Sequence, residues 1–267
     1  PTGYLHLGHV VNALYVWKIA RELGGEVVLR LENHDRIRCK PEYEAALLQD
    51  LEWLGFVPDL GKPEEFRAGA SIYRQSDGEA SYRAALDGLR ARGLVYACDC
   101  SRRRIVARAS QADTEELRYD GHCRDRGLAD GPGLTLRLRL PDRQVSFEDG
   151  LQGLQIQHPS LEIGDFALRD NHGHWTYQFC VVVDDIRQDI SLIVRGMDIL
   201  SSTGRQIILA ELLGQASQPL YVHHPLLVDA AGKKLSKRDF AADIHSRMLA
   251  GEPAKSILEE ASALANL

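Results

Sequence analysis

The spacing of apolar residues predicts a helix and then a strand at the beginning of the chain. Apolar residues recur at helical intervals over 10–23, and this pattern stops at a Gly-Gly pair. The apolar run at 26–32 follows and predicts a strand. A loop, a helix and a strand in this order are typical of α/β nucleotide-binding folds, whose ligands bind at the carboxyl ends of strands. We therefore expect a ligand site where this strand ends, at Glu32 and the charged residues after it.

Further helices and strands are predicted from the same helical and strand patterns of apolar residues. Helices are predicted at 41–54, 76–92, 175–185 and 202–213, and strands at 135–140, 190–194 and 221–223. Ser76 or Asp77 is expected to cap the second of these helices, and the turn-rich residues 55–69 are expected to form a loop.

The pattern of residue types changes between residues 94 and 160. A short strand, a Cys-x-Cys pair, an Arg-rich stretch and alternating strands predict a smaller α+β insertion in an α/β domain. The predicted division is 1–93 and 161–230 for the two halves of the α/β domain, 94–160 for the insertion, and 231–267 for a lysine-rich loop with a short helical tail.

Composition narrows the class of protein. A chain of 267 residues with 44% hydrophobic and 26% charged residues is typical of soluble globular enzymes. No apolar run approaches the roughly 20 residues that span a bilayer, so no membrane partner is expected. A net charge of −6 argues against binding nucleic acid through bulk charge, although a local basic surface is compatible with it. Five cysteines, an odd number, favour a reduced cytoplasmic protein with a metal site over a disulfide scaffold.

The first chemical motif is the opening stretch Pro-Thr-Gly-Tyr-Leu-His-Leu-Gly-His. His6 and His9 lie on one face at the start of the predicted helix, and Gly8 between them lets a ligand approach the backbone. The unpaired N–H groups and the positive dipole end of a helix favour a bound phosphate. Because the His-x-Gly-His pattern is only four residues long, it needs a partner motif elsewhere in the chain.

That partner is the lysine-rich stretch 233–238, Lys-Lys-Leu-Ser-Lys-Arg. Lys234 and Lys237 follow a glycine, and flexible lysines on such a loop can stabilise the charge that builds on a pyrophosphate leaving group. Taken alone, the stretch is more typical of a solvated turn. Its occurrence together with the histidine motif, in this order, favours the phosphate-binding interpretation.

Together, the Pro-Thr-Gly-x-Leu-His-x-Gly-His and Lys-Leu-Ser-Lys motifs resemble the two signatures of class I aminoacyl-tRNA synthetases. Val-Val-Val-Asp-Asp at 181–185 and Ile-Val-Arg-Gly-Met-Asp at 193–198 narrow the resemblance to the glutamyl group, and within it to the glutamyl-queuosine tRNA(Asp) synthetases. This family is a shortened relative without the helical anticodon-binding domain. The resemblance covers essentially the whole chain and implies a Rossmann-like parallel sheet with helices on both faces, interrupted by a zinc-bearing α+β insertion.

The resemblance also implies an activity and its residues. ATP with Mg²⁺ would activate glutamate as an adenylate, and the glutamyl group would then pass to RNA. The residues implied on the phosphate side are His6, Gly8, His9, Lys234 and Lys237. Those implied for substrate glutamate are Glu32 for its α-amino group, with Tyr177 and Arg195. From the residues alone, Tyr177 could equally be a core aromatic beside Trp175, and Arg195 could form a structural ion pair.

Two departures from the family pattern concern the glutamate side. The family has an Arg and a Ser just before the position of Pro1, and because this sequence begins without Met we expect that residues precede it. The family pattern after the acid is Asp-x-Asp-Pro-x-Arg, whereas 33–38 reads Asn-His-Asp-Arg-Ile-Arg. Asp35 and Arg38 are retained, so the conformation of this loop is in question more than the role of Glu32.

The cysteines form the third group of residues that indicates a chemical role. Cys98 and Cys100, with Cys123 23 positions further on, offer three thiolates for a tetrahedral zinc site. Coordination chemistry favours His122 or a water as the fourth ligand, whereas the family places a Tyr four residues before the last Cys, which is Tyr119. We follow the resemblance for Tyr119 and keep His122 as the alternative; three free thiols are a third interpretation. Cys39 and Cys180 are expected to take no part.

The implied partners are L-glutamate and the anticodon arm of tRNA(Asp) carrying queuosine, and the protein is expected to be a monomer. One alternative is the catalytic portion of a glutamyl-tRNA synthetase that charges the 3′ end of tRNA(Glu). A small-molecule nucleotidyltransferase and an inactive RNA-binding module are further alternatives, which the cysteine-bearing insertion and the complete residue set disfavour.

Overall fold

The computed structural model describes residues 1–108, 117–227 and 242–267. Its strands are β1 (Val95–Cys98), β2 (Thr135–Leu138), β3 (Val145–Asp149), β4 (Gly153–Gln157), β5 (Ala167–Arg169), β6 (Leu192–Gly196) and β7 (Leu220–His224). Its helices are α1 (Leu7–Glu22), α2 (Pro41–Leu54), α3 (Pro63–Ala68), α4 (Glu79–Ala91), α5 (Arg102–Arg108), α6 (Pro159–Glu162), α7 (Tyr177–Arg187), α8 (Thr203–Leu212), α9 (Ile244–Leu249) and α10 (Ala254–Ala265). Short 3₁₀ helices occupy Gln75–Asp77 and Met197–Ser202. Within these described segments no helix is both long and apolar enough to cross a membrane.

The chain forms two compact units. The first, called the α/β unit here, comprises Pro1–Asp77, Leu192–Leu200 and Leu220–Leu267, and the second, the cysteine unit, comprises Gly78–Ser191 and Ser201–Pro219. The predicted α/β fold is confirmed. The predicted four-part division into 1–93, 94–160, 161–230 and 231–267 stays a prediction.

A parallel strand pair and four helices organise the α/β unit. Strands β6 and β7 pair in parallel, with Arg195 opposite His223. Apolar residues of α1, α2, α9 and α10 pack into one core, in which Val10, Ile244 and Ile257 are almost fully buried. The predicted helix at 41–54 is confirmed at both ends: Pro41 occupies the first turn and Gly55 closes the helix with a left-handed backbone (φ 80°).

The strand predicted at 26–32 is present only as extended chain with two isolated parallel bridges, Val28 to Leu60 and Leu31 to Arg74. Its amides do pair, since Leu29 N donates to Leu60 O at 3.0 Å and Leu31 N to Tyr73 O at 2.9 Å. Each partner segment pairs with it at a single bridge, so a continuous ladder does not form.

Two other predictions in this part of the chain were wrong. The expected loop 55–69 contains α3, which begins at Pro63 and buries Phe66. The helix predicted from 76 begins instead at Glu79 with Gly78 as N-cap, so neither Ser76 nor Asp77 caps it. Both residues lie in the preceding 3₁₀ turn, whose Gln75 is buried.

The cysteine unit combines a small antiparallel sheet with helices. Strands β1, β2 and β5 form a three-stranded sheet in that order, and β3 and β4 form a hairpin. Helix α4 is attached to α7 by the hydroxyl of Tyr82, which donates to the buried carboxylate of Asp184 at 2.9 Å. This arrangement confirms the α+β character predicted for the segment that follows residue 94.

Candidate active site and cysteine cluster

His6 and His9 lie together at the first turn of α1. His6 is the N-cap residue with extended backbone (φ −127°, ψ 171°), and its main-chain N–H donates to Nδ1 of His9 at 3.0 Å. The centroids of the two rings are 3.7 Å apart. Because Nδ1 of His9 accepts this hydrogen bond, a neutral His9 carries its proton on Nε2. His9 is exposed, so this N–H can donate to a phosphate oxygen at the helix N-terminus.

Gly8 makes room for the His6 ring. A Cβ atom at Gly8 would lie 3.0 Å from Cε1 and 3.1 Å from Nδ1 of His6, closer than side-chain contacts normally allow. An alanine here would therefore displace the imidazole. The role of Gly8 in ligand approach stays a prediction, and the structure adds a second reason for a residue without a side chain.

Glu32 is engaged by an arginine that the sequence analysis missed. Oε1 of Glu32 accepts from Nη2 of Arg30 at 3.0 Å and from Nε at 3.3 Å. The spacing i to i+2 in extended chain places both side chains on one face, which is the signal that could have identified Arg30. Arg30 orients the carboxylate that we expect to receive the substrate amino group.

The loop after Glu32 is held by polar side chains against the 3₁₀ turn at Gln75–Asp77. Asn33 accepts from Ser76 N at 2.8 Å and donates to Ser76 Oγ at 3.2 Å, while the ring of His34 lies 2.7 Å from Gln75 Oε1. Asn33, which departs from the family pattern, and its neighbour His34 thus anchor the loop. Asp35 and Arg38, the two that are retained, form an ion pair at 2.5 Å.

Two cavities adjoin these residues in the α/β unit. One of about 590 Å³ has a mixed lining of apolar side chains and of polar and basic ones, the latter including Asn33, Arg36, Lys40, Arg67 and Ser76. A smaller one of about 160 Å³ is largely apolar and includes His9 and Asn12 in its wall. The larger of these two cavities therefore carries the basic side chains and lies beside the loop that follows Glu32.

Arg195 is buried on β6. Its Nε donates to Nε2 of His223, which is fully buried on β7, at 2.9 Å, and its guanidinium lies 5.9 Å from the centre of the Tyr221 ring. This contact shows what Nε of Arg195 binds. The role of Arg195 toward glutamate and the alternative of a structural ion pair both stay predictions. The sequence analysis did not identify His223, because only the parallel register of the two strands brings it opposite Arg195.

Tyr177 is the first residue of α7 in the cysteine unit and is half-buried. Its N-cap Thr176 is attached to β5 through a hydrogen bond from Oγ1 to Ala167 O at 2.7 Å. On the other side, Nε2 of Gln178 donates to Ser202 Oγ at 3.0 Å. The start of this helix is thereby fixed around Tyr177, whose role toward glutamate stays a prediction. Lys234 and Lys237 lie outside the described residues.

Cys98, Cys100 and Cys123 converge as predicted. Their sulfur atoms lie within 4.8 Å of one another and all three side chains are buried. The hydroxyl of Tyr119 lies 3.3 Å from Sγ of Cys98 and accepts from the main-chain N–H of Cys123 at 2.9 Å. Tyr119 itself is seated on Gly164, whose backbone (φ 73°) comes so close that a Cβ atom there would meet Tyr119 O at 2.0 Å.

The charges around the cluster suit three thiolates. Burial opposes ionisation of Cys98, but hydrogen bonds from Tyr119 and Arg137 outweigh it and lower the pKa of this thiol. Burial raises the pKa of Cys100. The guanidinium of Arg108 lies 3.1 Å from Sγ of Cys100 and that of Arg126 lies 3.2 Å from Sγ of Cys123, so positive charge is present on two sides.

These donors fit a zinc ion. Three thiolates and one oxygen or nitrogen donor form a closed tetrahedral site of the structural type. Tyr119 is positioned to be the fourth donor, whereas His122 is exposed and does not belong to the group of mutually close ligand atoms found among the described residues. The geometry therefore favours Tyr119 over the His122 alternative. Cys39 and Cys180 lie outside the cluster, as expected.

Comparison with known proteins identifies the same family. The family model "tRNA synthetases class I (E and Q), catalytic domain" matches residues 1–257. A protein of Nitratidesulfovibrio vulgaris named glutamyl-Q tRNA(Asp) synthetase is 39% identical over 280 aligned positions, which cover 100% of this chain and 84% of that protein. A glutamate–tRNA ligase of Frankia casuarinae is also 39% identical, over 89% of this chain and 48% of its own length.

A solved structure extends the likeness to the fold. The crystal structure of a glutamate tRNA ligase from Elizabethkingia meningosepticum in complex with its amino acid matches 90% of this chain at a TM-score of 0.75 and 29% identity. The chain spans 50% of that protein's length.

Proposed function

This chain belongs to the class I tRNA synthetases of the glutamyl and glutaminyl group and is a ligase of that type, and we propose that it activates L-glutamate with ATP and transfers it to queuosine at the wobble position of tRNA(Asp). The observation that carries the proposal is the match of the entire chain, at 39% identity, to a relative named for that activity. We propose that it acts in the cytoplasm as a monomer.

The α/β unit supplies groups for the first step. An oxygen of the glutamate α-carboxylate attacks the α-phosphorus of ATP, the bond to the β-phosphate oxygen breaks, and pyrophosphate leaves with the electron pair. The Nε2–H of His9 and the ring of His6 would hold phosphate oxygens as charge moves onto them. Lys237, and less directly Lys234, would act on the leaving pyrophosphate.

Recognition of glutamate would use two opposite charges. Glu32, oriented by Arg30, would accept hydrogen bonds from the α-ammonium group. Arg195 would pair with a carboxylate in the two-point geometry that a guanidinium allows, and Tyr177 is the third residue proposed to bind glutamate. A site that presents a guanidinium to a carboxylate discriminates strongly against a neutral analogue, so no editing step is required.

In the second step a hydroxyl oxygen of the RNA attacks the acyl carbon, the bond from that carbon to the phosphate oxygen breaks, AMP leaves with the electron pair, and the hydroxyl proton is released as the ester forms. In this proposal the hydroxyl belongs to the cyclopentene-diol of queuosine, and recognition depends on the shape of the anticodon loop and its exposed modified base. Cys98, Cys100, Cys123 and Tyr119 would hold a structural zinc ion, which stabilises the fold of the insertion and takes no part in either step.

The likeness to a Frankia glutamate–tRNA ligase supports a second candidate, esterification of the 3′ end of tRNA(Glu). Two assays separate the possibilities. Glutamate-dependent exchange of pyrophosphate into ATP, without RNA, tests activation; we expect exchange with glutamate and none with glutamine. An enzyme that prefers another amino acid would refute the assignment.

Transfer of labelled glutamate then identifies the acceptor. We expect labelling of queuosine-containing tRNA(Asp) and none of the same tRNA without the modification. As a control, the 3′ terminal ribose is oxidised with periodate so that it cannot accept glutamate. The queuosine diol is protected during the oxidation, or queuosine is introduced into the tRNA after it. Equal charging of unmodified tRNA(Glu) would favour the second candidate.

A further inference from the structure

Arg195 and His223 are paired by the architecture of the parallel strands. β6 and β7 run side by side with Arg195 directly opposite His223 and Ile193 opposite Tyr221. Residues two apart on a strand share a face, so all four side chains lie on one side of this strand pair. The arginine is 7% exposed and the histidine 0%. Neither side chain can therefore adopt another orientation without disturbing its neighbours.

The hydrogen bond between them defines the state of the imidazole. Nε of Arg195 donates to Nε2 of His223 at 2.9 Å. A guanidinium only donates, so Nε2 must be the unprotonated nitrogen and the ring is neutral with its proton on Nδ1. An imidazolium, which donates from both nitrogens, could not make this contact.

The contact also fixes the plane of the guanidinium. A planar guanidinium whose Nε makes a hydrogen bond keeps little rotational freedom. Its two terminal nitrogens can then donate parallel hydrogen bonds to a carboxylate. The Tyr221 ring, with its centre 5.9 Å from the guanidinium, lies on the same face as His223 and packs beside it at 6.4 Å between ring centroids. Arg195 is thus supported by a polar contact and by an aromatic one.

We propose that His223 is a positioning residue that orients Arg195 for a carboxylate of the amino-acid substrate. The inference rests on the proposed function only in what Arg195 binds. It follows that the acceptor atom of His223 matters, whereas its aromatic ring does not.

Matched variants test this distinction. In His223→Gln the amide oxygen can replace the Nε2 acceptor at a similar distance from the backbone, whereas His223→Met keeps the volume and has no acceptor. We expect the KM for glutamate in the exchange assay to rise about tenfold or more in the methionine variant and by less than about threefold in the glutamine variant. The KM for ATP should stay within about twofold in both.

Other results would overturn the proposal. Equal effects of the two variants on the KM for glutamate, or a parallel rise in the KM for ATP, would indicate a merely structural histidine. His223→Leu serves as a second variant without an acceptor should the methionine variant fail to fold.

A measurement on the unaltered protein separates this inference from the proposed function. Nitrogen-15 NMR should show a slowly exchanging Arg195 Nε–H that is lost in His223→Met and retained in His223→Gln. A rapidly exchanging Nε–H in the unaltered protein would refute the positioning role. A protein that shows the protected Nε–H but no glutamate-dependent exchange would refute the proposed function alone.

Discussion

The histidine pair and the cysteine cluster have similar sequence patterns but lie in opposite environments, one exposed and the other buried. His6 and His9 are three residues apart, Cys98 and Cys100 are two apart, and both residue types are common metal ligands. The histidines meet at an exposed helix start, where the first N–H of the turn is satisfied by the second ring. The cysteines are buried and reach a third thiol, a tyrosine hydroxyl and two arginines from other parts of the chain.

The difference shows that short spacing alone does not decide the chemistry of a pair. An exposed helix N-terminus offers N–H donors and a positive dipole, which favour an anion. Buried thiolates need positive charge beside them, which a bound cation would supply together with the two arginines. The first site should therefore respond to mutation through rate, and the second through metal content and stability.

The largest expected effect is on the rate of activation when the Nε2 donor of His9 is removed. In His9→Asn the side-chain oxygen can still accept from His6 N, but the outer donor is lost, so we expect kcat for exchange to fall about 10²- to 10³-fold with little change in Tm. His9→Gln, which places a donor near the Nε2 position, should retain more activity. A rate within threefold of the parent for His9→Asn would show that the histidine pair only caps the helix.

A smaller effect, on metal and stability, is expected for the cysteine cluster. Cys123→Ser should abolish stoichiometric zinc and lower Tm by about 5 °C or more, since each kcal/mol shifts Tm by about 2–4 °C in a chain of this size. Glutamate-dependent exchange of pyrophosphate into ATP, measured without RNA, should persist at temperatures where the variant is folded. Cys39→Ser is the control, because Cys39 lies outside the cluster. Full zinc content in Cys123→Ser, measured by elemental analysis, would contradict the assignment.

The finest distinction concerns the fourth donor. Tyr119→Phe removes one oxygen and should weaken zinc binding about tenfold, as measured by competition with a chelator, while leaving the three thiols in place. His122→Ala should change the zinc affinity little, because the side chain is exposed. The opposite ranking of these two variants would restore the His122 alternative.

Local sequence signals determined the first helices and the histidine motif. Helix α2 has the predicted bounds because Pro41 favours a helix start and Gly55 adopts the left-handed backbone that ends it. The ring pair at the start of α1 follows from its spacing of three residues on a helix. The three cysteines were also identifiable, since zinc sites have characteristic residue types and spacings.

The tertiary structure alone decided features whose partners are distant along the chain. The segment 26–32 is apolar enough for a strand, but its pairing with Leu60 and Tyr73 is limited to single bridges, which no local pattern reveals. The predicted cap at Ser76 failed because Asn33, 43 positions earlier, engages that residue. Only the parallel register of β6 and β7 brings His223 opposite Arg195. A helix cap or a ring pair depends on atoms within one turn, whereas strand pairing and buried hydrogen bonds depend on which segments meet. The sequence by itself therefore specified the residue types of both sites, and packing specified which neighbours orient them.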